Sequence, residues 1–286
     1  MKKMLILFLS LLIFISLSAF SEAKGYLFII GGGSRPETMM KKFVELADKF
    51  NSGKIIIFPM ASSVPDEVGP KQLEQLKRFG AREVEYHILT RELALKVENT
   101  GILDDVGGVF FSGGVQSRLM DILIDTPIHK KLLEIYEKGA VIGGTSAGAA
   151  VMSEIMITGD EKREVEEGHE FETIQANNII IVRGFGFIKT AIIDQHFVRR
   201  KRHNRLISLV AENPKLLGVG IDESTAIIVA PDEIFEVVGE RNVIVYDATQ
   251  AQIRISPSLS ISGSDIVMHI LSSGDRFNLK TKKVMR

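Results

Sequence analysis

A serine within a glycine-rich turn is the strongest chemical signal in the sequence. Ser146 lies in the run GGTSAGAA at residues 143–150, directly after an apolar segment typical of a buried strand. The run contains the G-x-S-x-G pattern of a nucleophile elbow, in which small neighbours allow a sharp turn that exposes the hydroxyl. The backbone N–H of Ala147 would then lie near the oxygen that becomes negative during attack. An ordinary strand-to-helix turn is one alternative; a phosphate loop is another, but it would be followed by a lysine, which is missing here.

A serine hydroxyl becomes a good nucleophile only when a base accepts its proton. Of the six histidines, His196 is the one that stands at the end of a predicted central strand, in the run IDQHF at residues 193–197. Open α/β sheets place their sites at the carboxyl ends of parallel strands. We therefore expect His196 to meet Ser146 at one edge of the sheet, and we expect structural roles for His129 and His269.

A second glycine turn, FSGGVQ at residues 111–116, also follows an apolar segment that predicts a strand. Its backbone N–H groups, that of Gly114 among them, could supply the other donor to the developing oxyanion. Gln116 could form a hydrogen bond with a substrate. A plain turn explains the same residues equally well.

Basic residues follow the histidine in the run RRKRHNR at residues 199–205. They could form a solvated helix face or a general anion patch, or they could bind a substrate carboxylate through the planar fork of an arginine. In an ideal helix Arg200 shares the face of His196, while Arg202 and Arg205 point roughly the opposite way. Helical spacing therefore favours Arg200 for the site.

The segments that must position these residues alternate between short apolar runs and longer amphipathic stretches. Strands are predicted at residues 26–30, 54–58, 83–88, 108–111, 140–142 and 190–194, and helices at residues 37–50, 68–79, 115–124 and 127–138. This order is typical of a mostly parallel sheet with flanking helices, so the predicted fold class is α/β. A helix is expected to carry His196 or to start just after it. From residue 217 onward, short β-branched runs predict C-terminal antiparallel strands that extend the sheet or fold back over it.

The first 23 residues are typical of a secretory signal peptide. Lys2 and Lys3 precede an apolar run at residues 5–20, and the small residues Ser21 and Ala23 suit a cleavage site before Lys24. A retained membrane anchor is the alternative, but it would need about 20 apolar residues, and this run is shorter. We expect an exported protein, secreted or held in the cell envelope, with one serine hydrolase domain at residues 24–286.

The composition restricts the partners of the protein. The sequence has no cysteine, so the stability of the fold must come from its core instead of disulfides. It has 35 basic and 36 acidic residues, and this balance gives no reason to expect nucleic acid or, after signal removal, a membrane as partner. Because no residues have the spacing of metal ligands, neither a metal nor a cofactor is expected.

The motifs together resemble those of cyanophycinases, in peptidase family S51, a serine peptidase family that also holds the aspartyl dipeptidases (peptidase E). The resemblance runs from Gly31 to the C-terminus. The F-[ST]-G-G-x-Q turn of the family stands at residues 111–116 and its G-T-S-A-G-A turn at residues 144–149. Its D-Q-H-F-x-x-R-x-R-x-x-R-L segment is matched at residues 194–206, and its G-I-D-E-x-T-A run at residues 220–226.

This resemblance implies a fold similar to that of class I glutamine amidotransferases, with serine in place of the usual cysteine. It also implies hydrolysis of cyanophycin, a poly-aspartate backbone with arginine on each β-carboxylate, to β-Asp-Arg dipeptides. A homodimer without metal or cofactor is expected. The matched segment implies contributions to the substrate site from Asp194, Gln195, Arg200, Arg202 and Arg205.

The acid that would orient the histidine is harder to assign. The family pattern has a glutamate in a glycine-rich loop after the serine, and Glu164 occupies the corresponding position. The loop is charged here instead of glycine-rich, so Glu161 and Glu166 compete with Glu164. Glu223 is the alternative outside this loop, because it follows a predicted strand that could lie beside the strand of His196. We expect Glu164 to take the role.

Two classes of function remain open. The enzyme hypothesis is a serine peptidase that cleaves cyanophycin, with an α-aspartyl dipeptidase or a general esterase as near neighbours. The other hypothesis is an exported binding protein that keeps the scaffold without catalysis. Ser146, His196 and the two glycine turns favour the enzyme, because a binding protein has no need to keep them together.

Overall fold

The structure of the protein, a computed structural model, describes residues 24–166 and 168–285. The predicted signal peptide, residues 1–23, lies outside these residues. Within the described part, no helix combines the length and the apolar character needed to cross a membrane.

Seventeen strands occur in the described residues. In chain order they are β1 (Leu27–Ile30), β2 (Lys54–Phe58), β3 (Val84–Tyr86), β4 (Val106–Phe111), β5 (Val141–Thr145), β6 (Ile155–Glu161), β7 (Ile179–Arg183), β8 (Ala191–Gln195), β9 (Leu217–Ile221), β10 (Thr225–Val229), β11 (Ile234–Gly239), β12 (Val243–Asp247), β13 (Gln252–Ile255), β14 (Ile261–Ser264), β15 (Val267–Leu271), β16 (Arg276–Asn278) and β17 (Lys283–Met285).

Seven α-helices and one 3₁₀ helix lie between the strands in the same part of the chain. The 3₁₀ helix spans Val97–Leu103, and the α-helices are α1 (Glu37–Ala47), α2 (Pro65–Arg78), α3 (Arg91–Ala94), α4 (Gln116–Leu123), α5 (Pro127–Glu137), α6 (Ala147–Ala150) and α7 (His203–Glu212). The helix predicted near His196 is α7. It begins only at His203, because residues 196–202 form a series of bends and turns.

The large sheet has nine strands in the order β17-β16-β11-β10-β1-β5-β4-β2-β3. From β1 to β3 the neighbouring strands are parallel, and from β10 to β17 the sheet continues with antiparallel pairs. The parallel strands are covered on both faces and carry continuous apolar runs, such as LFII in β1 and VGGVFF in β4. This architecture confirms the predicted α/β fold with a mostly parallel central sheet and C-terminal strands.

A second sheet has four strands in the order β15-β12-β9-β8. The sequence predicts β8 as a central strand, but its hydrogen-bonded neighbour is β9 in this smaller sheet. The sequence also predicts an antiparallel β9, whereas β9 runs parallel to β8 and antiparallel to β12. The parallel register pairs Gln195 with Ile221, so the residues that follow β8 and β9 meet at the same edge.

Helices and the small sheet cover the two faces of the large sheet. On one face α1 and α2 pack against the strands, with Phe43 of α1 in edge contact with Phe28 and Phe110. On the other face lie α4, α5, α6 and the inner side of the small sheet. The side chains of a strand alternate between faces, so Ile193 joins this inner core while Ile192 faces α7 on the outer side.

Candidate active site

Ser146 occupies a sharp turn between β5 and α6. Its backbone has φ 53° and ψ −109°, a strained conformation for a residue with a side chain. Glycine on both sides makes the turn possible, because a Cβ on Gly144 would lie 2.3 Å from the carbonyl oxygen of Gly148. This geometry is that of a nucleophile elbow.

His196 follows β8 and lies against the end of β1. Its backbone N–H donates a hydrogen bond of 2.7 Å to the carbonyl oxygen of Gly31. Its ring packs on Gly32, where a Cβ would lie 2.3 Å from the ring atom Cε1. The ring nitrogen Nε2 is 2.9 Å from Oγ of Ser146. The structure therefore brings the predicted serine and histidine within hydrogen-bond distance.

Glu223 follows β9 and approaches the other nitrogen of the ring. Its Oε1 lies 2.7 Å from Nδ1 of His196. An ionised carboxylate can only accept, so Nδ1 carries the hydrogen and Nε2 is left as the acceptor that faces Ser146. Gly33 packs on the same glutamate, because a Cβ there would lie 2.7 Å from Cβ of Glu223. Two hydrogen bonds thus join serine, histidine and glutamate in a continuous chain.

The carboxylate beside His196 is not the one that the sequence favours. Glu164 is exposed in the loop after β6, and the single hydrogen on Nδ1 is bonded to Glu223. Of the competing acids, Glu161 accepts two hydrogen bonds from within its own loop, and Glu166 is exposed. Across the described residues, no three histidine, aspartate or glutamate side chains are grouped to hold a metal ion.

The surroundings of His196 favour the neutral imidazole. Burial lowers the pKa of the ring, because the charged form loses its hydration. The hydrogen bond that the ring donates to Glu223 raises this pKa, and the positive charges of Arg200 and Arg202 lower it. The same hydrogen bond lowers the pKa of Glu223. Near neutral pH the site therefore holds an ionised carboxylate and an imidazole that can accept a proton.

The second glycine turn lies beside Ser146. A Cβ on Gly113 would lie 3.4 Å from Cβ of Ser146, and Gly114 has a φ of 141° that favours glycine. Gln116 is buried, and its Nε2 donates to two carbonyl groups of β6. Because its donor group anchors β6, Gln116 does not present that group to a substrate as the sequence suggests.

Four residues expected in the substrate site are bonded to one another instead. Asp194 and Arg205 form a buried two-point pair, in which Nε of Arg205 lies 2.7 Å from Oδ2. Nη1 of Arg202 donates to the backbone oxygen and to Oε1 of Gln195 at 2.7 and 2.9 Å. Burial and the charge of Arg205 lower the pKa of Arg202 to about 10. Because buried charges require partners, this network stabilises the segment behind the site and does not offer free arginines to a substrate.

Arg200 differs from these two arginines. It is exposed, and within the described part of the chain no hydrogen bond or ion pair engages its guanidinium. Its charge lowers the pKa of both His196 and Glu223. Its backbone N–H donates a hydrogen bond of 2.9 Å to the carbonyl oxygen of His196. Although this segment is a turn and not a helix, the structure places Arg200 near the histidine, where helical spacing favours it.

Comparison with known proteins identifies the same family as the sequence motifs do. The family model described as Peptidase family S51 matches residues 27–237, which include all three members of the hydrogen-bonded chain. The chain belongs to peptidase family S51. This S51 peptidase is 35% identical over 237 residues to a cyanophycinase of Trichormus variabilis, with 81% of this chain and 77% of that protein covered. It is 33% identical over 275 residues to a cyanophycinase of Synechococcus elongatus, with 92% and 82% covered.

A solved structure has the same fold. The crystal structure of a peptidase from an acI-B1 actinobacterium matches this S51 peptidase with a TM-score of 0.65, over 90% of this chain and 98% of that chain. The sequence identity is 23%, so this likeness concerns the fold alone. Together with the family match, it confirms the resemblance drawn from the motifs.

One part of the site is missed by the sequence analysis of this S51 peptidase. The end of β1 and the turn after it supply three successive backbone carbonyl groups that accept hydrogen bonds from the segments of the serine, the histidine and the glutamate. The signal is present, because three consecutive glycines directly follow a buried strand at residues 31–33. Glycines at such a position indicate a close approach of other segments.

Glu223→Gln should reduce kcat of this S51 peptidase by roughly 10²–10⁴-fold with little change in Tm, because an amide no longer stabilises the imidazolium. Initial rates on an aspartyl peptide and thermal melts measure both effects. Glu164→Gln is the matched control, since it removes the same charge from the exposed loop, and it should keep near-full activity. If only Glu164→Gln lost activity, Glu164 in the loop after β6 would be the carboxylate that orients His196.

The lowered pKa of His196 should appear in the acid limb of the pH profile. Because the ring stays neutral below its usual pKa of 6.5, kcat/KM should fall with a midpoint below pH 6.5. Arg200→Ala should move this midpoint to higher pH, because loss of a nearby positive charge favours the imidazolium. Lys201→Ala, which removes the neighbouring charge, is the control. If the midpoint shifts equally in both variants, or in neither, the charge of Arg200 is not what lowers the pKa of His196.

Proposed function

We propose that this chain is an exported serine peptidase that hydrolyses cyanophycin to β-Asp-Arg dipeptides. The observation that carries the proposal is the hydrogen-bonded chain from Ser146 through His196 to Glu223. The cyanophycinases that match most of this chain support the choice of substrate. The polymer is poly-aspartate with arginine on each β-carboxylate, and its backbone amide is the bond to be cut.

The proposed reaction passes through an acyl-enzyme. As Oγ of Ser146 attacks the carbonyl carbon, its proton passes to Nε2 of His196, 2.9 Å away. The imidazolium then gives this proton to the leaving amine, and the C–N bond breaks. Water attacks the resulting ester while His196 again accepts a proton, which returns to Oγ as the acid is released. Glu223 orients the ring and stabilises the imidazolium in both halves of the reaction.

The negative oxygen of the tetrahedral intermediate needs hydrogen-bond donors. Ala147 is the first residue of α6, and an N–H in the first turn has no acceptor within its own helix. The turn that contains Gly114 lies beside Ser146 and supplies a second backbone N–H. We assign these two groups, those of Ala147 and Gly114, to the oxyanion hole.

Arg200 is assigned to a carboxylate of the substrate. Its guanidinium has no hydrogen-bond or ion-pair partner among the described residues, and its positive charge lowers the pKa of His196. A planar guanidinium can bind a carboxylate through two parallel hydrogen bonds. Every arginine attached to cyanophycin carries a free carboxylate, so the charge of the polymer fits this arginine.

The strained backbone at Ser146 favours a catalytic role over simple binding. A non-glycine residue in such a conformation costs about 1–3 kcal/mol, and a protein that only binds a ligand gains nothing from an exposed serine at this turn.

An α-aspartyl dipeptide is the alternative substrate, because it offers the same kind of amide with a neighbouring carboxylate.

Export and dimerisation complete the proposal. Export rests on the signal-peptide pattern at residues 1–23. The homodimer is carried over from the family resemblance. After signal removal, the enzyme would act on polymer outside its own cytoplasm, without nucleic acid, membrane or cofactor as partner.

The purified chain of residues 24–286 should release soluble β-Asp-Arg from insoluble cyanophycin, and mass spectrometry identifies the product.

Ser146→Ala should lower kcat by roughly 10³-fold or more with the fold intact, because the attacking atom is lost. His196→Ala should lose a similar factor and the double variant little more, since the two residues act as one unit. If the protein cleaves soluble α-aspartyl dipeptides but releases nothing from cyanophycin, the substrate is an α-aspartyl dipeptide. Near-additive losses would show that one residue has a different role.

The exported protein should begin at Lys24, because Ser21 and Ala23 suit the small-residue positions of a cleavage site. N-terminal sequencing of the protein secreted by a bacterial host measures this. Ala23→Arg should block processing, since a long charged side chain replaces a small one at the cleavage position. Glu22→Gln, between the two small residues, is the control and should be processed normally. An extracellular active form that keeps Met1 contradicts the expectation.

A further inference from the structure

Arg35 lies at the active-site end of the large sheet. It stands two residues after Gly33, whose backbone packs against Glu223. Its guanidinium carbon is 5.8 Å from the centroid of the Phe110 ring in β4. Arg35 follows β1, and β5 lies between β1 and β4 in the sheet. The contact between Arg35 and Phe110 therefore spans β5, the strand that leads into Ser146.

The position of Phe110 keeps the guanidinium close to β5. The Phe110 ring leans over Gly143 of β5, because a Cβ on that glycine would lie 3.1 Å from the ring. Gly143 is three residues before the nucleophile in the sequence. A cation–π contact with an aromatic ring restricts the guanidinium and uses none of its N–H donors. Arg35 is thus held near the nucleophile turn without using its donors.

Among the residues that the structure describes, Arg35 has no counter-ion. No hydrogen bond or ion pair engages its guanidinium within this part of the chain, and the guanidinium lies over the ring of Phe110. The nearest carboxylate in the sequence, that of Glu37, is 2.7 Å from Nζ of Lys41. Arg35 is half-buried, and burial lowers the pKa of its guanidinium. A partly desolvated cation without an anion is unfavourable, so an anionic ligand would be stabilised here.

We infer that Arg35 binds a carboxylate of the substrate on the β4 side of Ser146, in addition to the carboxylate assigned to Arg200. The inference rests on the proposed function, because it concerns how the same site selects its substrate. Arg200 follows β8 and Arg35 follows β1, so the two arginines belong to different segments at this edge of the fold. A polymer with a carboxylate in every repeat would meet both arginines when it lies across the nucleophile.

The two probes that test Arg35 differ only in the carboxylates of their arginine units, including the one assigned to Arg200. One probe is a short β-Asp-Arg oligomer, and the other has agmatine in place of each arginine, which keeps the guanidinium and removes the carboxylate. Arg35→Ala should lower kcat/KM for the first probe by roughly 10- to 100-fold, the loss expected for one charge-assisted contact. It should change kcat/KM for the agmatine probe by much less. Arg35→Lys, which keeps the charge without the fork, should give an intermediate loss.

Lys41→Ala is the matched control, because it removes one positive charge from the adjacent helix at a residue already paired with Glu37. It should leave kcat/KM for both probes unchanged, and melts should show that all variants fold. An equal loss on both probes after Arg35→Ala, or no loss on either, overturns the inference.

A binding measurement separates this inference from the proposed function. In the Ser146→Ala background, calorimetry with both probes reports on Arg35 without any reaction. A wild type that binds the arginine oligomer but does not cleave it contradicts the proposed function alone. If Arg35→Ala weakens binding of that oligomer and not of the agmatine probe, the role of Arg35 is still supported. The same affinity with and without the substitution would overturn the inference.

Discussion

Three carbonyl groups at the end of β1 hold the candidate active site together. They accept hydrogen bonds of 3.0, 2.7 and 2.8 Å from the backbone N–H groups that belong to Ser146, His196 and Ser224, the residue after the glutamate. Because the three acceptors belong to consecutive residues, the path of one strand end fixes how Ser146, His196 and Glu223 stand relative to one another. Ser146 and His196 have φ values of 53° and 49°, and such conformations persist only where the surroundings enforce them.

This constraint also explains why glycine follows β1 at three successive positions. A Cβ on Gly31 would lie 2.2 Å from the carbonyl oxygen of Asp222, and a Cβ on Gly32 or Gly33 would clash with the histidine or the glutamate. Any side chain would separate the segments that the carbonyl groups hold. The site is therefore assembled mainly through main-chain contacts at close range, which is why its recognisable sequence signals are short glycine runs.

The meeting of Ser146 and His196 could be predicted from sequence because the signals of both residues are local. Ser146 stands in its own glycine turn and His196 at the end of an apolar run. The position of Glu223 depends on the pairing of distant strands. Gln195 lies opposite Ile221 in the ladder between β8 and β9, and this register brings Glu223 to the ring of His196. Spacing along the chain holds no information about that register. The same is true of the arginines, because the sequence does not reveal which of them finds a buried carboxylate.

The cations around the site divide by whether the fold supplies their partners. Arg202 and Arg205 are bonded to neighbouring side chains, whereas Arg35 and Arg200 have no such bond among the described residues. Burial lowers the pKa of His196, and the unpaired charge of Arg200 adds to this effect. A substrate carboxylate bound to Arg200 would offset this field and raise the pKa of the imidazole. Under the role proposed for Arg200, the ring would then accept the serine proton more readily than it does in the free protein.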